Sequence, residues 1–356
     1  MLGMASFLGM MNPAFGGSII SSIQQVKVTI AAASTSGTAT ITSVDTTRTA
    51  IFFQGCGTSE LTSPAKCYSR CTLTNATTVT VTRNTQANTG TVTLQCLVVE
   101  FAASAITRVQ YGTITMTAAT SNTATITSVD TSKSVCLYLG WTTTMTTTSA
   151  LECSPTLVLT NATTVTASRG SATNNTTASY CVLEFASGIT TSIQAFTKAA
   201  ITTTTTTETS TLSSVTTGNT MLLWDGFKTT LTGAVNETDL YYSLALTNAT
   251  TVTYTRIGTA NTNRTLCGTA IEFASGKVNS KQSGTITLDS VTSNTSTITS
   301  VVTGKTIVPC SGWRTINSDY DSNLLYTKLN SATQIITERN TANGIPISSY
   351  QVMEFL

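Results

Sequence analysis

The sequence contains no histidine, and only 10% of its 356 residues are charged. Without histidine, Ser-His-Asp and Cys-His catalysis are excluded, as is the commonest metal-ligating side chain. Neither a G-x-x-x-x-G-K-[ST] loop nor a strand-linked G-x-G-x-x-G is present. A Ser-Lys or paired-carboxylate mechanism stays formally open, but the carboxylates are sparse and mostly single. We therefore predict that the chain is not an enzyme and has no catalytic, cofactor-binding or metal-binding residues.

Concentrated positive charge and long apolar runs are also missing. The net charge is +2, and no Lys/Arg run stands out, so we expect no nucleic-acid partner. No apolar run reaches the length of about 18 residues that predicts a membrane span. Residues 1–21 are apolar and rich in Gly and Met, but they lack the positively charged start of a signal peptide. We interpret them as an N-terminal attachment arm.

The nine cysteines do not recur at equivalent places, as a disulfide framework in a repetitive chain would. Most lie in apolar strand patterns, and we interpret them as small buried hydrophobes of a protein that folds in a reducing cytoplasm. The alternative for Cys67 and Cys71 is a local bridge or half of a metal site.

Threonine takes the place of charge, and its β-branched side chain suits a pleated, half-buried surface. In the first part of the chain, short alternating or apolar segments are separated by turn residues. They are Val26–Ile30, Thr38–Val44, Thr49–Cys56, Cys71–Leu73, Thr78–Arg83 and Thr91–Phe101. No window has sustained helical periodicity. This spacing predicts an all-β sandwich or barrel.

An internal repeat organises the chain. The octapeptide at Leu73–Thr80 returns identically at Leu159–Thr166 and Leu246–Thr253, and each unit closes on Glu-Phe. A glycine ends the third strand of every unit: Gly55, Gly140, Gly226 and Gly312. We predict four tandem Ig-like β-sandwich domains with separate cores, at residues 22–104, 105–188, 189–276 and 277–356.

The least variable parts of the unit suggest a joint between domains. If Arg83 pairs near Thr91 across a hairpin, Glu100 falls opposite Thr74, which places the Leu-Thr-Asn turn and the Glu-Phe end together. The predicted interdomain joint comprises Asn75, Glu100, Phe101, Asn161, Glu184, Phe185, Asn248, Glu272 and Phe273. The three Asn residues also match N-glycosylation acceptors, but we interpret them as turn residues.

One Arg and one Glu recur in each unit. The arginines are Arg83, Arg169, Arg256 and Arg339, and the fourth glutamate is Glu354. We interpret both sets as solvated charges at strand ends; the alternative is ion pairs between neighbouring units or chains.

Variable loops follow the recurring glycines, at residues 57–64, 141–149, 227–236 and 313–322. Such loops on a rigid scaffold often carry binding specificity. Three start with an aromatic residue, so Trp141, Phe227 and Trp313 are either contact residues or core residues. The alternating oxygen side chains from Asn317 to Asn323 resemble the start of a calcium loop around Asp319 and Asp321. The expected final Glu is Asn330, so a polar loop is the better interpretation.

The motifs at Gly112–Met116, Ala124–Asp130, Leu159–Thr166 and Val182–Phe185 resemble those of tandem Thr-rich β-domain virion proteins of tailed bacteriophages. The resemblance covers residues 22–356. It implies a structural role as a fibre, decoration or tail-associated component.

The function that we expect is therefore a virion structural protein of the tail or head, assembled in the host cytoplasm. It would bind other virion proteins, capsid or tail, through residues 1–22. Thr91–Phe101 is apolar on both faces, which suggests a homo-oligomer, with a trimer as one option. The alternatives are an adhesin that binds a host receptor or glycan through the variable loops, and a cellular surface-layer-like protein.

Overall fold

A computed structural model describes residues 18–61, 63–85, 87, 89–146, 154–201, 205–229, 241–259, 264–315 and 319–356. The described chain is built mainly of antiparallel β-strands, so the predicted all-β class is confirmed. All six segments predicted for the first repeat overlap strands, and the fifth strand has the predicted bounds, Thr78–Arg83. The second strand ends at Thr40, however, so Ile41–Val44 of the predicted segment lies outside it.

Each repeat contains the same six long strands. In repeat 1 they are β1 (Ile20–Ile30), β2 (Ser36–Thr40), β3 (Thr49–Thr58), β4 (Ser69–Asn75), β5 (Thr78–Arg83) and β6 (Val92–Phe101). In repeat 2 they are β7 (Ile106–Thr117), β8 (Ser121–Thr125), β9 (Ser134–Thr143), β10 (Thr156–Asn161), β11 (Thr164–Ser168) and β12 (Asn175–Phe185).

In repeat 3 the strands are β13 (Thr190–Ile201), β14 (Thr207–Thr211), β15 (Thr220–Thr229), β16 (Ser243–Asn248), β17 (Thr251–Thr255) and β18 (Arg264–Phe273). In repeat 4 they are β19 (Val278–Thr287), β20 (Ser293–Thr297), β21 (Thr306–Ile307), β22 (Cys310–Arg314), β23 (Leu325–Ser331), β24 (Gln334–Arg339) and β25 (Ile347–Phe355); β21 and β22 together stand where the other repeats have their third strand. Two single-turn helices, α1 (Pro64–Cys67) and α2 (Tyr320–Asn323), lie in the loops after the third strand of repeats 1 and 4.

Two three-stranded layers form each repeat. In repeat 1, β6 pairs with β1 and β3, while β5 pairs with β2 and β4. The strand β1 packs against β2 and β5 of the other layer. The alternation of side chains along β5 explains this packing, because Val79 and Val81 are buried while Thr80 between them is half-buried.

The order of strands corrects two predictions. The expected hairpin between Arg83 and Thr91 does not form, because β5 and β6 belong to opposite layers. In an Ig sandwich the last two strands are neighbours in one sheet. Here successive strands mostly alternate between layers, as in a jelly roll, and the predicted Ig-like order is therefore wrong.

The layers continue from one repeat into the next and close a ring. The fourth strand of a repeat pairs with the third strand of its successor, at Arg70–Gly140, Thr156–Gly226 and Ser243–Gly312. Repeat 4 then pairs with repeat 1 through Tyr326 and Gly55. The recurring glycines stand at these junctions because all four have positive φ and a Cβ on any of them would overlap a carbonyl of the adjacent repeat.

One apolar core runs through all four repeats, so the prediction of separate cores is wrong. The strand β6 shows why. Its residues Val92, Leu94 and Cys96 pair with the buried residues of β1 and so face the interior of repeat 1. Phe101, on the opposite face, contacts Phe185 of repeat 2 with ring centroids 6.1 Å apart. The second apolar face, which suggested contacts between chains, is thus buried within one chain.

In the interiors of three repeats, a glycine on one strand faces an aromatic side chain on the paired strand. Tyr180 pairs with Gly112 and Tyr350 with Gly284, each across the first and last strands of its repeat. Repeat 3 reverses the arrangement, since Phe196 on the first strand pairs with Gly268 on the last. A Cβ at any of the three glycines would overlap the opposing ring. In repeats 2, 3 and 4 the glycine thus leaves the space that the opposing ring occupies.

No helix among the described residues is long and apolar enough to cross a membrane.

Candidate functional site

An aromatic chamber forms where the four repeats meet around the centre of the ring. The third strands β3, β9, β15 and β22 contact one another in a cycle. Each delivers the residue after its junction glycine to the chamber: Cys56, Trp141, Phe227 and Trp313. Residues from the start of each fourth strand or just before it complete the wall, including Tyr68, Ser154, Tyr241 and Leu324.

Ring stacking holds the chamber together across repeats. Tyr68 of repeat 1 stacks on Trp141 of repeat 2 with centroids 4.2 Å apart. Tyr241 of repeat 3 stacks on Trp313 of repeat 4 at 5.0 Å. The hydroxyls of Tyr68 and Tyr241 share a buried hydrogen bond of 2.7 Å, which joins repeats 1 and 3.

The predicted contact residues Trp141, Phe227 and Trp313 all line this chamber. They are only 5%, 1% and 4% exposed. They therefore lie in the core, the second of the two interpretations that their position allowed. Being buried, they offer no surface to a partner; their role is to pack one repeat against the next.

Several polar atoms of the chamber are buried without a hydrogen-bond partner. They are the indole nitrogens of Trp224 and Trp313 and the hydroxyls of Tyr138, Ser69 and Ser154. Burial raises the pKa of Tyr138 well above its ordinary value, so its hydroxyl is a neutral donor or acceptor. The chamber volume is about 20 Å³, enough for roughly one water molecule. The chamber can thus hold a water-sized polar guest.

The predicted joint residues divide into phenylalanines, glutamates and asparagines. Phe101, Phe185 and Phe273, together with Phe355, meet edge to face in succession, with centroids 4.9–6.1 Å apart, and so they join the repeats. The glutamates act inside their own repeats, where each carboxylate accepts a hydrogen bond from the backbone N–H that follows the buried Val of the loop after the second strand. The donors are Asp45, Asp130, Thr216 and Val302 for Glu100, Glu184, Glu272 and Glu354.

The asparagines of the predicted joint shape turns. Asn75 accepts hydrogen bonds from the backbone and hydroxyl of Thr77, and Asn161 and Asn248 repeat this geometry. Asn75, Asn161 and Asn248 are exposed. The interpretation as turn residues is therefore the one that the structure supports.

The recurring arginines are not solvated, and neither are Glu184 and Glu354, which are 8% and 4% exposed, so the prediction of solvated charges is wrong for these residues. Arg83, Arg169, Arg256 and Arg339 are 2–4% exposed. The Arg169 guanidinium donates to the carbonyls of Met116, Ala119, Ala172, Thr173 and Asn174. Arg83 and Arg339 bind loop carbonyls of their own repeats in the same way. Each arginine thus fastens the loops at one end of its repeat.

Ion pairs of the recurring glutamates involve other arginines. Arg48 lies 2.7 Å from Glu100, and Arg108 lies 3.6 Å from Glu184. Both pairs stay within one repeat, so the alternative of ion pairs between neighbouring repeats is not realised for these two glutamates.

The remaining candidate residues have structural surroundings. Asp321 and Asn323 are buried in α2, where Asp321 accepts a hydrogen bond from Ser322 and Asn323 accepts one from Thr315. Asn317 and Ser318 lie outside the described residues. Within the described part of the chain, no group of three or more Cys, Asp or Glu side chains is arranged to hold a metal ion. None of the eight described cysteines, among them Cys67 and Cys71, forms a disulfide with another described cysteine, and seven of the eight are buried.

Two polar features were missed by the sequence reasoning. Gln24, Gln110, Gln194 and Gln282 each bind both backbone groups of one residue just after the second strand. An alignment of the first strands reveals this recurrence. Asp225, a buried carboxyl in β15, is the other feature. Its signal was an acidic residue after the apolar run Met221–Trp224.

No family model and no curated protein matches the chain.

Proposed function

We propose that the chain is a non-enzymatic structural protein of a tailed-bacteriophage virion, attached to the tail or head through its N-terminal residues. Within that class, a decoration or cap component fits better than the shaft of a fibre. The four repeats are, in this proposal, duplicated copies of one ancestral β-sandwich unit.

Closure of the ring is the observation that carries this proposal. Besides the Tyr326–Gly55 pairing, Gln25 of β1 donates to the carbonyl of Leu329 in β23 at 2.7 Å. The Lys27 ammonium lies 5.3 Å from the centre of the Tyr326 ring, a cation–π contact. Repeats 1 and 4 therefore occupy each other's open strand edges. A closed ring cannot lengthen by adding repeats end to end, whereas it suits a compact unit placed on a particle surface.

The predicted homo-oligomer loses the observation on which it was based. The second apolar face of β6, which suggested it, is covered by other repeats of the same chain. Oligomerisation, including a trimer, stays a prediction without a structural argument among the described residues.

An adhesin is the second candidate, and one observation favours it. Among the described residues, the segments that follow the third strands of repeats 1, 2 and 4 contact one another, since Ala65 of repeat 1 donates to the Met145 carbonyl of repeat 2, and Tyr68 also contacts Tyr320 of repeat 4. Loops of three repeats that lie against one another offer a surface to which a receptor or glycan could bind.

Particle incorporation of the full chain and of a variant lacking residues 1–17 tests the first proposal, since Ile19 and Ile20 are buried at the start of the fold and must be kept. We expect the full chain to be found on purified virions by electron microscopy with labelled antibody. The truncated chain should keep the far-ultraviolet spectrum and melting temperature of the intact ring but be missing from particles. Absence of the full chain from purified virions would refute the structural role.

The two candidates differ in a competition assay. If the chain is an adhesin, the purified ring should block adsorption of the phage to its host in a dose-dependent way. A ring that is incorporated into particles but never competes for the host supports the structural role alone.

A further inference from the structure

Two equivalent clefts lie on the ring, one between repeats 2 and 3 and the other between repeats 3 and 4. Each is lined by the fourth strand of one repeat and by the first and last strands of the next. Leu157 and Leu159 in the first cleft correspond to Leu244 and Leu246 in the second. Because the repeats are equivalent, a difference between the clefts must come from the side chains.

Gln351 lies in the inner part of the cleft between repeats 3 and 4, whose volume is about 150 Å³. Its amide oxygen accepts from the Leu222 N–H at 3.0 Å, and its amide nitrogen donates to the Leu222 carbonyl at 3.1 Å. The same nitrogen donates to Ser311 at 2.9 Å. One side chain thus satisfies both backbone groups of Leu222 and the Ser311 hydroxyl at the bottom of this cleft.

The cleft between repeats 2 and 3 lacks this side chain. Thr269 stands where repeat 4 has Gln351, Asp225 replaces Ser311, and Cys136 replaces Leu222. The threonine is too short to reach across, and the cleft extends inward to Cys136 and Asp225, with a volume of about 130 Å³. That is close to the roughly 150 Å³ cavity that accommodates benzene.

The Asp225 carboxyl is the distinctive group of this cleft. It is 4% exposed; one oxygen accepts a 2.6 Å hydrogen bond from Thr269, and the other has no partner. Among the described residues, no cationic side chain lies within ion-pair distance of it. Leu157, Val135 and Phe196 supply apolar walls. A buried carboxylate is stabilised by a cation that brings its own hydrogen-bond donors.

We propose that the cleft between repeats 2 and 3 binds a primary ammonium group on a short aliphatic chain. The ammonium would donate to the free oxygen of Asp225 and to the Cys136 peptide carbonyl, at the position that corresponds to Leu222. The methylene groups would lie against Leu157 and Phe196. The same chemistry is found in free aliphatic amines and in the side chain of a lysine. This inference does not depend on the virion role.

The titration behaviour of the site supports the assignment. Burial raises the pKa of Asp225 to about 7, against the opposing effect of the Thr269 hydrogen bond. The thiols of Cys136 and Cys267 also face Asp225, and burial raises both of their pKa values; that of Cys267 is about 11. Tyr242 and Tyr254 lie nearby with pKa values raised by burial, and Lys228 opposes the rise in the pKa of Cys267. A bound cation would favour ionised Asp225, so affinity should rise as the pH increases from about 5 to about 8.

Calorimetric titration of the full chain with n-butylammonium chloride tests the proposal, with n-butanol as the uncharged probe of equal length. We expect butylammonium to bind at about pH 8 and butanol to bind much more weakly. Asp225→Asn should weaken butylammonium binding by roughly 10- to 100-fold, as for loss of a hydrogen bond to a charged group. Asp289→Asn, which removes an exposed carboxylate, is the matched control and should not change it.

A second variant reports on the cleft itself. Thr269→Gln copies repeat 4 and should place an amide against the backbone of Cys136 and beside Asp225. It would occupy the polar groups that the ammonium needs, abolishing binding while the melting temperature is kept or raised. Binding of butanol as tightly as butylammonium, equal affinity in Asp225→Asn, or no butylammonium binding by the folded chain would each overturn the proposal. A lysine-containing peptide measured beside free butylamine tells the two sources apart: tighter binding of the peptide indicates a protein partner.

Discussion

The buried carboxyl of Asp225 makes the stability of the ring depend on pH. In the unfolded chain this group has its ordinary pKa of 3.8, and in the folded chain burial raises the pKa to about 7. Between these values the folded state holds a proton that the unfolded state has released. The free energy of unfolding must therefore fall as the pH rises through this interval.

The size of the change in stability follows from the difference between the folded and unfolded pKa values of Asp225. Each pH unit between 3.8 and about 7 removes about 1.36 kcal/mol, so the total loss is about 4 kcal/mol. This contribution is fully present below pH 3.8 and gone once the pH passes about 7. Against a typical stability of about 5–15 kcal/mol, the loss is readily measured.

Urea denaturation at a series of pH values, for the wild-type chain and Asp225→Asn, isolates this contribution. Other carboxyls, such as Asp130, whose pKa is lowered to about 2 by hydrogen bonds from Ser132 and Lys133, titrate equally in both chains and cancel in the difference. Because Asn keeps an acceptor for Thr269, the variant should match the wild type near pH 4 and exceed it by about 4 kcal/mol near pH 8. A constant difference at every pH would refute the reasoning.

Three further perturbations address the framework. Arg169→Met should lower the free energy of unfolding by about 3–5 kcal/mol in urea, because it leaves several buried carbonyls without a donor. A loss under about 1 kcal/mol would contradict the role of Arg169 in binding these carbonyls. Gly112→Val should destabilise the fold because the valine overlaps Tyr180, and adding Tyr180→Cys should recover most of the lost stability, with a coupling of about 1–3 kcal/mol in a double-mutant cycle. Additive effects of the two substitutions would argue against direct packing of Gly112 on Tyr180. Gly55→Val should open the junction of repeats 1 and 4 and raise the radius of gyration in small-angle scattering, whereas an unchanged radius and melting temperature would show that the glycine is dispensable.

The positions of the strands were largely predictable from the sequence, whereas the pairing of strands into sheets was not. The alternation in Thr78–Arg83 identified β5 to the residue. The eight residues between β5 and β6 can form either a hairpin or a connection between layers, and nothing in the local pattern selects one. The choice depends on which apolar faces meet in the assembled repeat.

The same limit applies to the arginines and to the second face of β6. Burial of Arg83 depends on backbone carbonyls of loops distant in sequence, which side-chain patterns do not record. The two apolar faces of β6 correctly indicated burial on both sides. They could not indicate that the covering surface belongs to another repeat of the same chain, because the apolar pattern of a strand does not specify what covers it.

The differences between the equivalent clefts show one consequence of encoding all four repeats in a single polypeptide. In a tetramer of identical subunits, any replacement is copied into every interface, and a buried carboxylate would occur four times. Here Gln54, Leu139, Asp225 and Ser311 stand at one equivalent position, and only one of them is ionisable. Fusion of the copies lets a single interface diverge while the other three keep the ring closed.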